Sequence, residues 1–155
     1  QGVYNRDGTA GITMGTATVA LVGGISGMRT ASTSAAAITT TRVLTLTDSG
    51  GVFSVSQAAA YDIDLPSPTS GPGCRYLFYL TAPGAFAVTI TVAGAAATFV
   101  GTIQIDGATI AATGATLTFA SGAASLGDTI EIISISTSLY LVRAVGIAAG
   151  GITIA

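Results

Sequence analysis

Alternation of apolar and polar residues with a period of two is the feature that most constrains how this chain folds. The pattern runs from Arg42 to Gly146 in short segments that glycine, proline or aspartate separates. Successive side chains of a β-strand point to opposite faces, so each segment is typical of a strand that buries one face. Many short strands between turn residues predict an all-β fold, here an antiparallel β-sandwich or jelly-roll-like domain.

Several local structures follow from this pattern. Residues 42–47, "RVLTLT", are predicted to form a strand, and residues 48–51, "DSGG", are predicted to form the turn after it. The prolines and glycines of residues 66–73 predict a loop, and the Asp106-Gly107 pair predicts a turn. No segment shows the spacing of an amphipathic helix, although residues 56–61, "SQAAAY", are long enough for one helical turn.

The composition divides the chain into a central domain and two unusual ends. Residues 42–146 carry the strand pattern and form the predicted sandwich. Residues 1–41 are an extended stretch rich in glycine, alanine and threonine, and residues 147–155 form an apolar tail. Disordered arms are usually polar and charged. We therefore expect both ends to be ordered, either as added strands of the same domain or as arms that lie on a neighbouring chain.

The charge content is too low for a protein that faces water on every side. Only 8% of the residues are charged and 50% are hydrophobic, whereas soluble proteins contain about 25% charged residues. Glycine and threonine interrupt the apolar stretches, which argues against a membrane span. No basic region followed by an apolar core is present near Gln1, so no secretory signal is expected there. The apolar excess predicts burial between chains and hence an obligate oligomer.

Missing residue types argue against most chemistry. The sequence has no histidine and no lysine, which removes the usual bases of nucleophilic catalysis and the lysine of a phosphate-binding loop. The single cysteine, Cys74, cannot form an internal disulfide and cannot build a zinc site without histidine. A net charge of −2 argues against nucleic-acid binding. We expect no catalytic residue, no cofactor and no small-molecule substrate.

Carboxylates are the remaining candidates for chemistry. In residues 61–65, "YDIDL", Asp62 and Asp64 lie opposite the large apolar side chains, so we expect both to be solvated. The other acids of the strand region lie at turns, at a strand entry or between apolar positions of a strand: Asp106, Asp128 and Glu131. An acid pair of the glycosidase type and a calcium site at Asp62 and Asp64 are the alternatives. The following loop supplies no third acid and the chain has no tryptophan to stack on sugars, so no metal ligand is assigned.

The aromatic residues lie mostly within strand patterns, and we interpret them as core residues. An exposed Tyr79 or Tyr140 would belong to a subunit interface, where tyrosine is enriched. Cys74 is interpreted as a buried or interfacial thiol.

The order of these elements resembles the β-rich structural proteins of tailed-phage virions. The resemblance rests on the "LTLTDSGG" turn, the "LPSPTSGPG" loop, the aromatic strand "CRYLFYL", the "TIQIDG" hairpin and the closing "GDTIEI" strand pair. It covers roughly residues 44–146. Members of this group often carry tryptophan in the last strand, where this chain has Tyr140 in "SLYLVRAVG".

The resemblance implies a non-enzymatic capsid decoration or cement protein on the outer surface of the virion. Its expected partners are further copies of itself, as a homotrimer, and the major capsid protein. The alternative is a phage fibre or adhesin domain that binds carbohydrate on the host surface.

Overall fold

The structure is a computed structural model that describes residues 36–70, 72–93 and 97–155. Most of the predicted N-terminal arm, residues 1–35, lies outside the described residues. The strands are β1 (Ala36–Ile38), β2 (Arg42–Val43), β3 (Val52–Ser56), β4 (Tyr61–Leu65), β5 (Arg75–Ala82), β6 (Val88–Val92), β7 (Thr98–Ile105), β8 (Ala108–Gly114), β9 (Leu117–Phe119), β10 (Thr129–Ser134), β11 (Leu139–Gly146) and β12 (Ile152–Ile154). Within these ranges, two 3-10 turns occur, at Leu46–Asp48 and Pro68–Ser70. Nothing helical in these ranges is long and apolar enough to cross a membrane.

The all-β prediction is confirmed, and the strands form two sheets. A seven-stranded sheet has the order β1-β3-β5-β10-β11-β7-β8, and a five-stranded sheet has the order β12-β9-β6-β4-β2. The described residues of the predicted arm and tail include edge strands. Strand β1 pairs with β3, and strand β12 pairs with β9.

The prediction of antiparallel sheets is wrong, because both sheets are mixed. From β1 to β6 the chain changes sheet after every strand, so strands two apart in sequence become neighbours and run in the same direction. The parallel ladders of this half are β1 with β3, β3 with β5, β2 with β4 and β4 with β6, and β7 later pairs parallel with β11. Period-two alternation is the same for parallel and antiparallel strands. The sequence pattern therefore could not show the direction of pairing.

Antiparallel pairing dominates the second half of the chain. Strands β7 and β8 form a hairpin, and β10 pairs antiparallel with both β5 and β11. The turn between β7 and β8 is Asp106-Gly107, with φ angles of 49° and 78°. Two successive positive φ values are typical of a two-residue hairpin turn, in which aspartate and glycine are favoured. The predicted Asp-Gly turn is confirmed.

Both sheets contribute to one hydrophobic core. The buried side chains come from both sheets, at alternate positions of strands such as β4, β5, β10 and β11. Aromatic rings meet inside it: Phe53 stacks on Phe78 with ring centroids 5.4 Å apart, and Phe99 lies 5.9 Å from Tyr140. The interpretation of the aromatic residues as mainly core residues is confirmed for these four.

The predicted strand at residues 42–47 is wrong beyond its first two residues. Strand β2 ends at Val43, the amide of Leu44 still donates to the carbonyl oxygen of Asp64, and the chain then turns into the 3-10 segment Leu46–Asp48. The Asp48 carboxylate accepts hydrogen bonds from the Thr45 amide at 2.8 Å and from the Thr45 hydroxyl at 2.8 Å. This capping of the turn outweighs the strand propensity of the alternating threonines and leucines.

The Asp48 carboxylate is expected to stabilise the fold in a pH-dependent way. Burial opposes its ionisation, but the hydrogen bonds from Thr45 and the Arg42 guanidinium, 2.9 Å away, outweigh that effect and lower the pKa of Asp48 below 3.8. A folded pKa below the unfolded value means that this stabilisation is present above the unfolded pKa. It is lost as the pH falls through the folded pKa.

We therefore expect Asp48→Asn to lower the free energy of unfolding by about 1 kcal/mol at neutral pH and by much less in strong acid. Urea unfolding across the acidic range measures the difference. The exposed Asp62→Asn is the matched control and should change the free energy of unfolding by less than about 0.5 kcal/mol. A constant deficit for Asp48→Asn at every pH would contradict the assignment.

Candidate interaction surface

The outer face of the seven-stranded sheet is apolar in places where a solvent-facing sheet is normally polar. We call the following seven outward-pointing apolar residues of strands β3, β5, β7, β10 and β11 the outer apolar surface: Val52, Leu77, Tyr79, Val100, Ile133, Leu141 and Val145. Val52 is 42% exposed and Val145 is 50% exposed, and the other five are half-buried. Each is adjacent on its strand to an inward-pointing residue.

Strand register joins part of this surface into a continuous row. Ile133 lies opposite Leu141, which lies opposite Val100, so three neighbouring strands present an apolar row. Val52 lies opposite Leu77 in the next row, which continues into the charged residues Glu131 and Arg143. Val145 lies in a third row, between Thr129 and Gln104. Contiguous apolar area of this kind marks interaction sites in soluble proteins.

Three charged residues interrupt the outer apolar surface, and two of them form an ion pair. Arg75 Nε lies 2.5 Å from Glu131 Oε1, and Glu131 lies opposite Arg143 in the β10–β11 ladder. Arginine pairs with carboxylates through a planar fork that tolerates partial burial. Arg75 and Glu131 therefore add a paired charge to the surface, and Arg143 adds an exposed one.

The outer face of the five-stranded sheet has the opposite character. A row of short polar side chains crosses four strands, because Thr153 lies opposite Thr118, Thr118 opposite Thr89, and Thr89 opposite Asp62. Cross-strand pairs of threonine stabilise a sheet without needing a partner. This face is consistent with contact with water, whereas the outer apolar surface has the character of a surface that contacts a partner.

Asp62 and Asp64 lie on this polar face, as the alternation predicts. Asp62 is exposed, and Asp64 is half-buried and accepts a hydrogen bond of 2.6 Å from the Thr91 hydroxyl. Tyr61, Ile63 and Leu65 point into the core. Among the residues that the structure describes, no cluster of three or more acidic, cysteine or histidine side chains is placed to hold a metal ion.

Comparison with protein-family models, curated proteins and solved structures finds no match for this chain.

The remaining acids have structural positions, one of which the sequence did not indicate. Asp106 occupies the hairpin turn and Glu131 pairs with Arg75. Asp128 is fully buried, and its carboxylate accepts hydrogen bonds of 2.8 Å from the amides of Ser125 and Ile147. The sequence around Asp128, a Gly-Asp pair at the start of a strand, does not indicate that the loop at Ile147 will cover the carboxylate.

The tyrosines divide between the core and the outer apolar surface. Tyr140 is buried in the core and donates a 2.6 Å hydrogen bond to the carbonyl oxygen of Pro66, so it is not exposed at an interface. Burial raises the pKa of Tyr140 to about 12, with a further contribution from Cys74. Tyr79 is half-buried on the outer apolar surface. The half-buried thiol of Cys74 packs against the core.

Proposed function

We propose that this protein is a non-enzymatic structural protein of a virion, a decoration or cement protein that assembles as a homotrimer on the outer capsid surface. The observation that supports association is the outer apolar surface, which covers central strands rather than a single exposed residue. The resemblance of residues 44–146 to tailed-phage structural proteins supports the virion setting. In this proposal the two sheets are the layers of a sandwich or jelly roll, and the outer apolar surface faces neighbouring chains.

The energetics favour association through this surface. Burying about 1,000 Å² of apolar area per subunit is worth roughly 25 kcal/mol before the costs of association are subtracted. The paired charges at Arg75 and Glu131 remain hydrogen-bonded inside such an interface, which avoids the large penalty of an isolated buried charge. Further copies of this chain and the major capsid protein are the proposed partners.

A matched pair of valine substitutions tests the proposal. Val145→Lys places a charge in the outer apolar surface, and Val43→Lys places the same charge on the other sheet, where Val43 is 61% exposed. Because a lysine loses its hydration in a packed interface, we expect Val145→Lys to weaken self-association at least about tenfold. Val43→Lys should leave it unchanged. Sedimentation velocity over a range of concentrations measures both variants.

Binding to capsids that lack their decoration protein separates a cement protein from an oligomer of another kind. Wild type and Val43→Lys should bind such particles, and Val145→Lys should not. A wild-type chain that stays monomeric and does not bind capsids would refute the proposal.

The alternative is a fibre or adhesin domain that binds host-surface carbohydrate. The observation in its favour is the polar face of the five-stranded sheet, where threonine hydroxyls and the Asp62 and Asp64 carboxylates offer hydrogen bonds to sugar hydroxyls. A glycan array decides between the two, because a cement protein should bind no sugar. If the wild-type protein binds a glycan and the double variant Asp62→Asn, Asp64→Asn does not, the result supports the alternative.

A further inference from the structure

Strand β8 is a long unprotected edge of the seven-stranded sheet. It spans seven residues, whereas the other edge strands of the described fold, β1, β2 and β12, span three, two and three residues. Its sequence, "ATIAATG", contains no charge and no proline. Native sheets protect their edges with short strands, charges, proline or bulges, because an open edge pairs with any extended segment it meets. The β8 edge has none of these protections, although the end of the chain, at Ile154 and Ala155, lies against its last residue, Gly114.

An apolar groove lies beside this edge. Its volume is about 450 Å³, and its walls include Ile103, Ile105 and Ile110 from the larger sheet and Ile152 and Ile154 from the smaller one. A strand that pairs with β8 would direct every second side chain toward the groove. The site therefore fits an extended, uncharged segment with apolar residues at alternate positions.

The chain itself contains a segment with this pattern. Residues 16–22, "TATVALV", have no charge and place Ala17, Val19 and Leu21 on one face of an extended strand. This segment has seven residues, the same number as β8. It belongs to the first 35 residues, outside those that the structure describes.

The position of β1 allows delivery of this segment to another molecule. Strands β1 and β8 are the opposite edges of one sheet, six strand spacings or about 29 Å apart. Residues 23–35 separate the segment from β1 and span at most about 45 Å when extended. In a head-to-tail arrangement, the β1 edge of one copy faces the β8 edge of the next, and the segment reaches that edge without crossing a sheet. Such heterologous contacts close into rings or continue as filaments.

We propose that residues 16–22 of one copy bind as an added strand along β8 of a second copy, with Val19 and Leu21 in the isoleucine-lined groove. Backbone hydrogen bonds to the β8 edge supply general affinity, and the two apolar side chains supply the register. This strand exchange is separate from the outer apolar surface and does not require a capsid.

Two variants of the full-length chain test the proposal. The arm variant combines Val19→Asp and Leu21→Asp, and the edge variant is Ile110→Lys, which charges the groove. Hydrogen exchange of the β8 amides, followed by mass spectrometry, is the readout. In wild type these amides should exchange slowly in a concentration-dependent manner, and the arm variant should exchange at least about tenfold faster, because unpaired edge amides open freely to solvent. Val43→Lys is the control and should match wild type.

A mixture of the two variants distinguishes the possible occupants. The arm variant has an intact edge and the edge variant has an intact arm, so adding the edge variant should restore slow exchange to β8 of the arm variant. The two β8 peptides differ in mass and are read separately. If the arm folds back onto its own chain, or if β8 pairs with another β8, the mixture restores nothing and the proposal is overturned. Fast β8 exchange in concentrated wild type would overturn it as well. The self-association experiment with Val145→Lys changes neither β8 nor residues 16–22. Failure of the proposed function and failure of strand exchange can therefore be told apart.

Discussion

Replacing Gly101 with alanine is expected to lower the free energy of unfolding by at least about 4 kcal/mol. Gly101 lies in β7 opposite Val142 of β11, in the interior of the seven-stranded sheet. A Cβ atom at this position would lie 2.0 Å from the carbonyl oxygen of Val142. The obstacle is backbone on a neighbouring strand, so no rotation of a side chain relieves it. The φ angle of 148° is also one that residues with side chains rarely adopt.

Gly107→Ala separates the conformational penalty from the clash. Gly107 has a φ angle of 78°, and a Cβ atom there would have nothing within 4 Å. We expect a loss of only about 1 to 2 kcal/mol, the cost of a left-handed conformation for alanine. Urea unfolding measured by circular dichroism compares the two variants with wild type. Equal losses at both positions would show that β7 and β11 do not approach as closely as described.

Replacing Gln57 with leucine is expected to lower the free energy of unfolding by about 3 kcal/mol. The Gln57 side chain is 1% exposed and joins three backbone groups that are distant in sequence. Its Nε2 donates to the carbonyl oxygens of Phe119 at 3.0 Å and Ala120 at 3.1 Å, and its Oε1 accepts from the Gly84 amide at 3.1 Å. Leucine has a similar volume but makes none of these hydrogen bonds.

Two further variants define the cause of this loss. Gln104→Leu makes the same chemical change at an exposed position of β7, and we expect less than about 0.5 kcal/mol. Gln57→Glu keeps an acceptor for Gly84 but directs a carboxylate at two carbonyl oxygens, which raises the pKa of the new acid. The folded state then binds the proton more tightly than the unfolded state, so the stability of Gln57→Glu should fall as the pH rises. A pH-independent loss would contradict the hydrogen-bonding role of Gln57.

The sequence identified which residues face the core but not which strands meet. Tyr61, Ile63 and Leu65 point inward and Asp62 points outward, because alternation along one strand depends only on local backbone geometry. The same alternation allowed antiparallel hairpins from β3 to β6, and the structure has arches between sheets instead. Gln57, in a segment that also allowed a helical turn, anchors one of these arches through contacts 62 and 63 residues away.

The sequence predicted that apolar residues would lie outside the core, but it did not predict where they would lie. A charged fraction of 8% required apolar residues to lie outside the core, since a single domain of this size cannot bury all of them. The sequence could not place Val52, Leu141 and Val145 on one face, because their strands are far apart along the chain and the register between them is a tertiary property. From the sequence, an exposed position was one possibility for Tyr140. In the structure its side chain is buried, and its hydroxyl donates a hydrogen bond to the carbonyl oxygen of Pro66.

The sequence by itself determined the all-β class, the Asp106-Gly107 turn and the solvation of Asp62, because each depends on residues that are neighbours along the chain. Only the tertiary structure decided the parallel ladders, the burial of Asp128, the outer apolar surface and the bare β8 edge. Those features depend on where the chain changes sheet, and this choice is made by long-range packing rather than by the period of any one strand.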